Sequence, residues 1–222
     1  MELRAYLPFW DQMTRAQQQE LEQTADRQSF RKGMVVHAGS GHCTGLLVVC
    51  AGQLRVFTLS EEGKELTLYR LLERDICLFS AACMLRGAQF DLSVQAEQDT
   101  VVFHIPPEVY RRLMESCTAV ANYTNELMAT RFSDVMWLMD QLLHKKMDSR
   151  LAALLLEEEA LSGSAVLTLT HEQLASHLGS AREVVTRLLR HLTQEGLVRL
   201  GRGTVEILDE AGLEQLAGDS LR

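Results

Sequence analysis

No stretch of the 222-residue chain approaches the roughly 18 uninterrupted apolar residues that a membrane-spanning helix needs. The first residues, Met1-Glu2-Leu3-Arg4, are followed by Asp11 and Glu20 and hold no apolar signal core. The expectation is a soluble, cytoplasmic protein with no membrane partner. Cysteine is scarce and odd in number, five residues in all, which argues against a purely disulfide framework and for free thiols in a reducing compartment. No His-x-His occurs, and only His37 and His104 fall on expected strands, far apart. The facial set of His and carboxylate ligands that a metal oxygenase on a small β-roll needs is therefore missing. Neither catalytic residues nor a metal site are expected. There is no internal repeat and no low-complexity stretch. Basic residues are outnumbered, 22 Lys and Arg against 30 Asp and Glu, for a net charge of −8. That balance discourages non-specific binding to nucleic acid.

What is present is 46% hydrophobic, enough for one large domain or two modest ones. The patterning indicates an α+β chain. Residues 8–26 read as a short N-terminal helix. Residues 34–38, 46–51, 54–59, 65–72, 92–96 and 101–105 read as short strands, separated by turns such as Gly39-Ser40-Gly41, Gly52 and Glu61-Glu62-Gly63. Many short strands at this spacing indicate a small antiparallel barrel or roll. Pro106-Pro107 ends the β region, and to about residue 144 neither Gly nor Pro appears and the period is helical. This helix is apolar on two sides. Ala121, Thr124, Met128, Val135, Leu138 and Leu142, with Arg131 among them, make a coiled-coil seam; Phe132, Met136, Met139 and Leu143 make a second stripe. Two stripes suggest that one face packs on the roll and the other on a second copy of the chain. The first stripe, with Met128, Val135, Leu138 and Leu142, is expected at the dimer interface. Lys145-Lys146-Met147-Asp148 reads as a hinge, with Asp148 capping a helix over 149–161 that Ser162-Gly163-Ser164 ends. Three regions result: 1–106, 107–144 and 145–222.

The segment with the most specific pattern is 170–192. Thr170 and Gln173 form a capping box that starts a helix. Leu174 and Leu178 face inward, and Ala175 is small where two helices cross closely. Gly179 ends the helix, because the tight turn needs a residue that tolerates positive φ. Val185 and Leu188 anchor a second helix. A small residue, Gly four later, and apolar residues ten and thirteen after the small one is the spacing of a DNA-binding helix-turn-helix. The outer face of the second helix carries Arg182, Glu183, Thr186, Arg187 and Arg190. Arginine can pair bidentately with guanine, and glutamate can accept from the cytosine amino group. Taken alone, this face would equally suit a solvated amphipathic helix. Beyond the second helix lies a wing: Leu197–Leu200, the turn Gly201-Arg202-Gly203, and Thr204–Leu208, with Arg202 at its tip placed for phosphate. Between 182 and 202, five arginines face two glutamates, a surplus of three positive charges, so the other residues carry −11. The basic charge is concentrated where DNA would bind.

These residues resemble the CRP/FNR family of bacterial transcription regulators. The resemblance is carried by Leu174-Ala175, the run from Leu178-Gly179-Ser180-Ala181 through Leu189, and Glu195-Gly196-Leu197-Val198. It extends to Gly33-Met34-Val35-Val36, Ala51-Gly52-Gln53-Leu54-Arg55-Val56 and the Glu62-Gly63-Lys64-Glu65 hairpin. It implies a cupin-like, cyclic-nucleotide-binding-like β-roll sensor (1–106), a dimerising helix (107–144) and a C-terminal winged helix (145–222). It implies a homodimer on an inverted repeat in double-stranded DNA, with RNA polymerase as a further partner. By the same resemblance Arg182, Glu183, Arg187 and Thr186 read bases, and Thr170, Ser180 and Arg202 touch phosphates, to which the outward Arg190 is added.

The sensor half departs from two familiar branches. Cyclic-AMP-binding relatives carry an Arg-Ser/Thr in their phosphate cassette, whereas this chain reads Glu73-Arg74-Asp75-Ile76-Cys77-Leu78-Phe79 and then Gln89-Phe90-Asp91-Leu92-Ser93. Asp91 repels a phosphate and Arg86 is displaced from the cassette position, so cyclic AMP is not expected. Iron–sulfur relatives carry an N-terminal cysteine cluster, and the first 42 residues here contain no Cys, so that cluster is not expected either. Cys77 and Cys83 remain candidate sensor thiols. Haem is one reading, since carbon-monoxide-sensing relatives have a Cys near this position, but Phe79 stands where those place a His. Oxidant response or a thiophilic metal is a second reading, and two inert buried thiols a third. His42-Cys43 reads as a solvated loop, and His171, His177 and His191 as helix-surface residues.

Overall fold

A computed structural model describes residues 2–38, 45–78 and 92–221. His42-Cys43, Phe79, Cys83, Arg86 and the run from Gln89 to Asp91 lie outside the described residues. The chain divides into two compact units, Met1–Leu59 with Leu68–Val135, and Ser60–Thr67 with Met136–Arg222.

The first unit opens with two 3-10 turns, Leu3–Tyr6 and Trp10–Gln12, and a helix α1, Arg15–Thr24. The helix is shorter than the 8–26 expected. Thr14 and Gln17 form a capping box, with the Thr14 N–H donating to Gln17 Oε1 at 2.9 Å, and this fixes the start. Eight strands follow among the described residues: β1 Asp26–Phe30, β2 Val35–His37, β3 Leu46–Ala51, β4 Leu54–Leu59, β5 Glu65–Leu71, β6 Ile76–Cys77, β7 Ser93–Ala96 and β8 Thr100–Ile105. They form two four-stranded sheets, in the orders β1-β8-β3-β6 and β2-β7-β4-β5. Alternate residues of the facing strands meet between the sheets: Leu47, Val49, Cys77 and Val102 from one, Leu54, Val56, Leu71 and Val94 from the other. The alternate β3 residues Leu46, Val48 and Cys50 point the opposite way into a second core made by Phe9, Trp10, Ile105, Tyr110 and Leu113. Both faces of β3 are therefore covered, which is why it reads as an unbroken apolar run rather than an alternation. β1 departs from the expected strands, because an edge strand reading Asp-Arg-Gln-Ser-Phe has no apolar periodicity.

The helical stretch after Pro106 is broken once, into α2 Pro107–Ser116 and α3 Thr118–His144. Ser116 turns its hydroxyl back onto the Arg112 carbonyl at 2.7 Å, and Cys117 takes extended angles and buries its side chain. The two stripes of α3 differ in burial within the single chain. Thr124 is buried and bonds the Tyr110 hydroxyl at 2.8 Å. Arg131 is buried, 3.0 Å from Asp134 and stacked 4.5 Å over the Tyr69 ring. Met128 packs on the chain's own N-terminal core, and Val135 and Leu138 are half-buried. Leu142, near the end of the helix, is exposed. The apolar face left open is the other stripe: Phe132 is 67% exposed, Met136 47%, Met139 45% and Leu143 71%.

The second unit contains α4 Met147–Ser162, β9 Val166–Leu167, α5 His171–Leu178, α6 Arg182–Gln194, β10 Val198–Gly201, β11 Thr204–Ile207 and α7 Glu210–Ala217. Its core draws Leu151 and Leu155 from α4, Leu174 and Leu178 from α5, Val185, Leu189 and Leu192 from α6, Val205 from β11 and Leu213 from α7. α4 begins two residues before the expected 149. Lys146 occupies the cap position, and Asp148 lies inside the first turn, accepting from the Ser149 N–H at 2.8 Å.

Candidate nucleic-acid interface

α5 starts where the sequence says it should. The Thr170 hydroxyl accepts from the Gln173 N–H at 3.2 Å, and the Gln173 side chain accepts from the Thr170 N–H at 2.8 Å. The helix stops at Gly179, whose φ of +67° is open to glycine and strained for an L side chain. The Ser180 N–H then donates to the Ala175 carbonyl at 3.0 Å, closing the turn. Ala175 is buried at the crossing with α6.

An arginine that sequence reasoning does not single out also fixes this corner. Arg150 of α4 is buried, and its Nη2 donates to the Leu178 carbonyl at 2.8 Å. A cation on the last carbonyls of α5 satisfies an acceptor that the helix end would leave open.

α6 buries Val185, Leu189 and Leu192 completely, with Leu188 half-buried beside them. Its opposite face is open. Arg182, Glu183, Arg187 and Arg190 are exposed, and with the half-buried Thr186 they line one shallow concavity. The amphipathic burial therefore settles which side can meet a ligand. Ala181 at the helix cap offers no side-chain hydrogen bond, so the first N–H groups of α6 stay available at its exposed end, next to Ser180.

The wing is a two-residue hairpin. β10 and β11 pair antiparallel, with Gly201 opposite Thr204, so Arg202-Gly203 is the turn, and Gly203 takes a φ of +74°. β9 adds a third strand through Leu167 opposite Val205. Arg202 is exposed at the tip, whereas Arg199 is tied to Glu206 at 2.7 Å across the hairpin. Thr170 is exposed and Ser180 half-exposed. One winged helix thus carries all eight residues expected at DNA: Arg182, Glu183, Thr186 and Arg187 for bases, and Thr170, Ser180, Arg190 and Arg202 for phosphates.

Of the three histidines expected on helix surfaces, one is buried and one half-buried. His177 is buried, with Nδ1 2.9 Å from the Thr67 hydroxyl. His171 is half-buried, with Nδ1 2.9 Å from the Thr186 hydroxyl; burial first, then Arg182 and Arg190, holds its imidazole below the usual histidine range. No spacing in the sequence marks a contact fifteen residues apart between two helices. His191 is exposed as expected.

Of the sensor thiols, Cys77 is fully buried between the two sheets, and Cys83 lies outside the described residues. No group of three or more His, Cys, Asp or Glu able to hold a metal occurs among the described residues, and no helix there is long and apolar enough to cross a membrane.

Comparison with known proteins agrees with this geometry. Residues 149–216 match the model of a Crp-like helix-turn-helix domain, and residues 27–117 that of a cyclic nucleotide-binding domain. The Cyclic AMP receptor protein of Thermus thermophilus is 32% identical over 172 residues, 78% of this chain and 79% of that protein. Transcriptional regulator SdrP of the same organism is 30% identical over 175 residues, 76% of this chain and 82% of that protein. A solved structure of a crp/fnr-family protein from Eubacterium rectale is 50% identical, covers 96% of this chain and 99% of its own, and superposes with a TM-score of 0.94. The chain belongs to the CRP/FNR family of transcription regulators, with a β-roll of the cyclic-nucleotide-binding type and a helix-turn-helix DNA-binding domain.

Proposed function

We propose that the chain works in the cytoplasm as a homodimer that binds an inverted repeat in double-stranded DNA and acts on transcription through RNA polymerase. The observation that carries the reading is the polarity of α6: its underside is locked in a core, and its free side is a row of arginines and one glutamate. Arg182 and Arg187 each offer a fork that matches the O6 and N7 of guanine, and Glu183 accepts from the amino group of cytosine. Thr170, Ser180, the open N–H groups of α6, Arg190 and Arg202 are suited to phosphates, fixing register without reading sequence. The acidic remainder of the chain weakens binding elsewhere on DNA, so affinity depends on the base contacts.

The exposed stripe Phe132, Met136, Met139 and Leu143 supports a symmetric pairing through α3. On the sensor side, Arg131 stands between Asp134 at 3.0 Å and Asp75 at 3.7 Å, one cation against two carboxylates. Where cyclic-AMP-binding relatives carry a cation for the phosphate, this sequence has Asp91, and we assign the roll an effector other than cyclic AMP. The test is selection from a random duplex library with the full-length protein. The reading expects recovered sequences to share an inverted repeat whose half-sites lie about one helical turn apart. Recovery of unrelated sequences with equal affinity would refute it.

A further inference from the structure

We propose that His171 is a positioning residue that sets the hydrogen-bond polarity of the Thr186 hydroxyl, and through it the base preference of α6 at one position of the half-site. The inference rests on the reading of α6 as the base-reading helix.

The geometry is specific. His171 sits at the first position of α5, and its Nδ1 lies 2.9 Å from Thr186 Oγ1 on α6. Thr186 belongs to the exposed concavity with Arg182, Glu183, Arg187 and Arg190, so its side chain borders whatever that concavity binds. Helical threonines usually turn the hydroxyl onto the carbonyl four residues back. Thr193 does so to Leu189 at 2.9 Å and Thr124 to Val120 at 2.7 Å. Thr186 makes no such bond among the described residues, which leaves its single proton free for the ring nitrogen in the tautomer whose Nδ1 carries no proton. Burial and the two neighbouring arginines of the same helix, Arg182 and Arg190, favour the neutral ring. Of the carboxylates nearby, Glu172 follows His171 on α5 and is exposed, and Glu183 of α6 lines the concavity with Thr186 and is also exposed.

A hydroxyl has one proton and two lone pairs. With the ring neutral and Nδ1 bare, Thr186 donates inward and presents only lone pairs outward. It can then accept from the amino group of cytosine or adenine and is a poor match for guanine or thymine. With the ring protonated, Nδ1–H donates to Oγ1 and the hydroxyl proton swings outward. Thr186 then donates to guanine O6 or N7 or to thymine O4. One proton on His171 reverses what Thr186 can read without moving either helix.

The test uses the full chain and a duplex panel built on its selected site, with every base pair of the half-site substituted in turn. Affinities are measured by fluorescence anisotropy at fixed salt, at about pH 8 and at about pH 5, the lower value lying beneath the ordinary histidine range because His171 is held down. At one position the wild type should shift its preference from amino-bearing toward carbonyl-bearing bases by roughly five-fold, the worth of one neutral hydrogen bond. His171→Asn, which accepts but does not titrate, should keep the preference seen at pH 8 and lose the shift. Thr186→Val should lose both, and Thr186→Ser should retain both. The proposal is overturned if acid changes the affinity of every duplex equally, or if the shift survives in Thr186→Val. A wild type that binds every duplex alike at pH 8 would instead overturn the base-reading role of α6, and the proposal with it.

Discussion

Replacing Met139 by Glu should separate the subunits. Phe132, Met136, Met139 and Leu143 are between 45% and 71% exposed in the single chain. Fully burying such a side chain is worth about 1.5–3 kcal/mol, so covering what is still open contributes roughly 1–2 kcal/mol per residue. A two-fold interface uses each residue twice, which makes roughly 8–16 kcal/mol for eight side chains, against an association cost of about 4–15 kcal/mol. The balance is narrow enough for one residue to decide it. Met139→Glu removes its burial on both subunits and adds two carboxylates, each costing several kcal/mol to desolvate. A net loss of at least about 4 kcal/mol raises the dissociation constant roughly a thousand-fold. Sedimentation equilibrium at micromolar concentration should show a dimer for the wild type and for Met139→Leu, and a monomer for Met139→Glu with an unchanged circular dichroism spectrum. A Met139→Glu protein that stays dimeric, while Leu138→Glu dissociates, would return the interface to the first stripe and refute this assignment.

Other outcomes rest on single contacts. Arg150→Met keeps the volume but leaves the Leu178 carbonyl buried without its donor, and should cost about 1.5–3 kcal/mol in urea unfolding. Gly179→Ala forces an L side chain to a φ of +67° and should cost about 1–2 kcal/mol, read as a lowered Tm. Cys77, sealed between the sheets, should stay unmodified by a thiol reagent in native protein and react only on unfolding, as followed by peptide-resolved mass spectrometry. Rapid native labelling at Cys77 would favour its role as a sensor thiol.

The winged helix is the most legible part of the chain, because each of its features has a local cause. Thr170-x-x-Gln173 is a capping box, Gly179 a positive-φ turn, and the arginine face of α6 follows from helical period alone. The same capping signature at Thr14-x-x-Gln17 is masked by an apolar stretch before it that looks helical. β1 is invisible in the sequence because an exposed edge strand needs no alternation. The break at Cys117 is invisible because neither Gly nor Pro makes it; a serine back-bond and a buried cysteine do. Both stripes of α3 are legible, but which one stays open depends on Tyr110, Tyr69 and the N-terminal core, and these meet the helix only in three dimensions. The partners of His171 and His177 are hidden for the same reason.

One titration tests most directly whether α6 reads bases while the wing holds phosphates. Arg187→Ala and Arg202→Ala are each measured against a panel of operator variants at several salt concentrations. Arg187→Ala should cost about 1–3 kcal/mol per half-site and relax discrimination at one base pair. Arg202→Ala should weaken all sequences similarly and flatten the salt dependence. An Arg187→Ala protein that loses affinity equally for every variant would contradict the account.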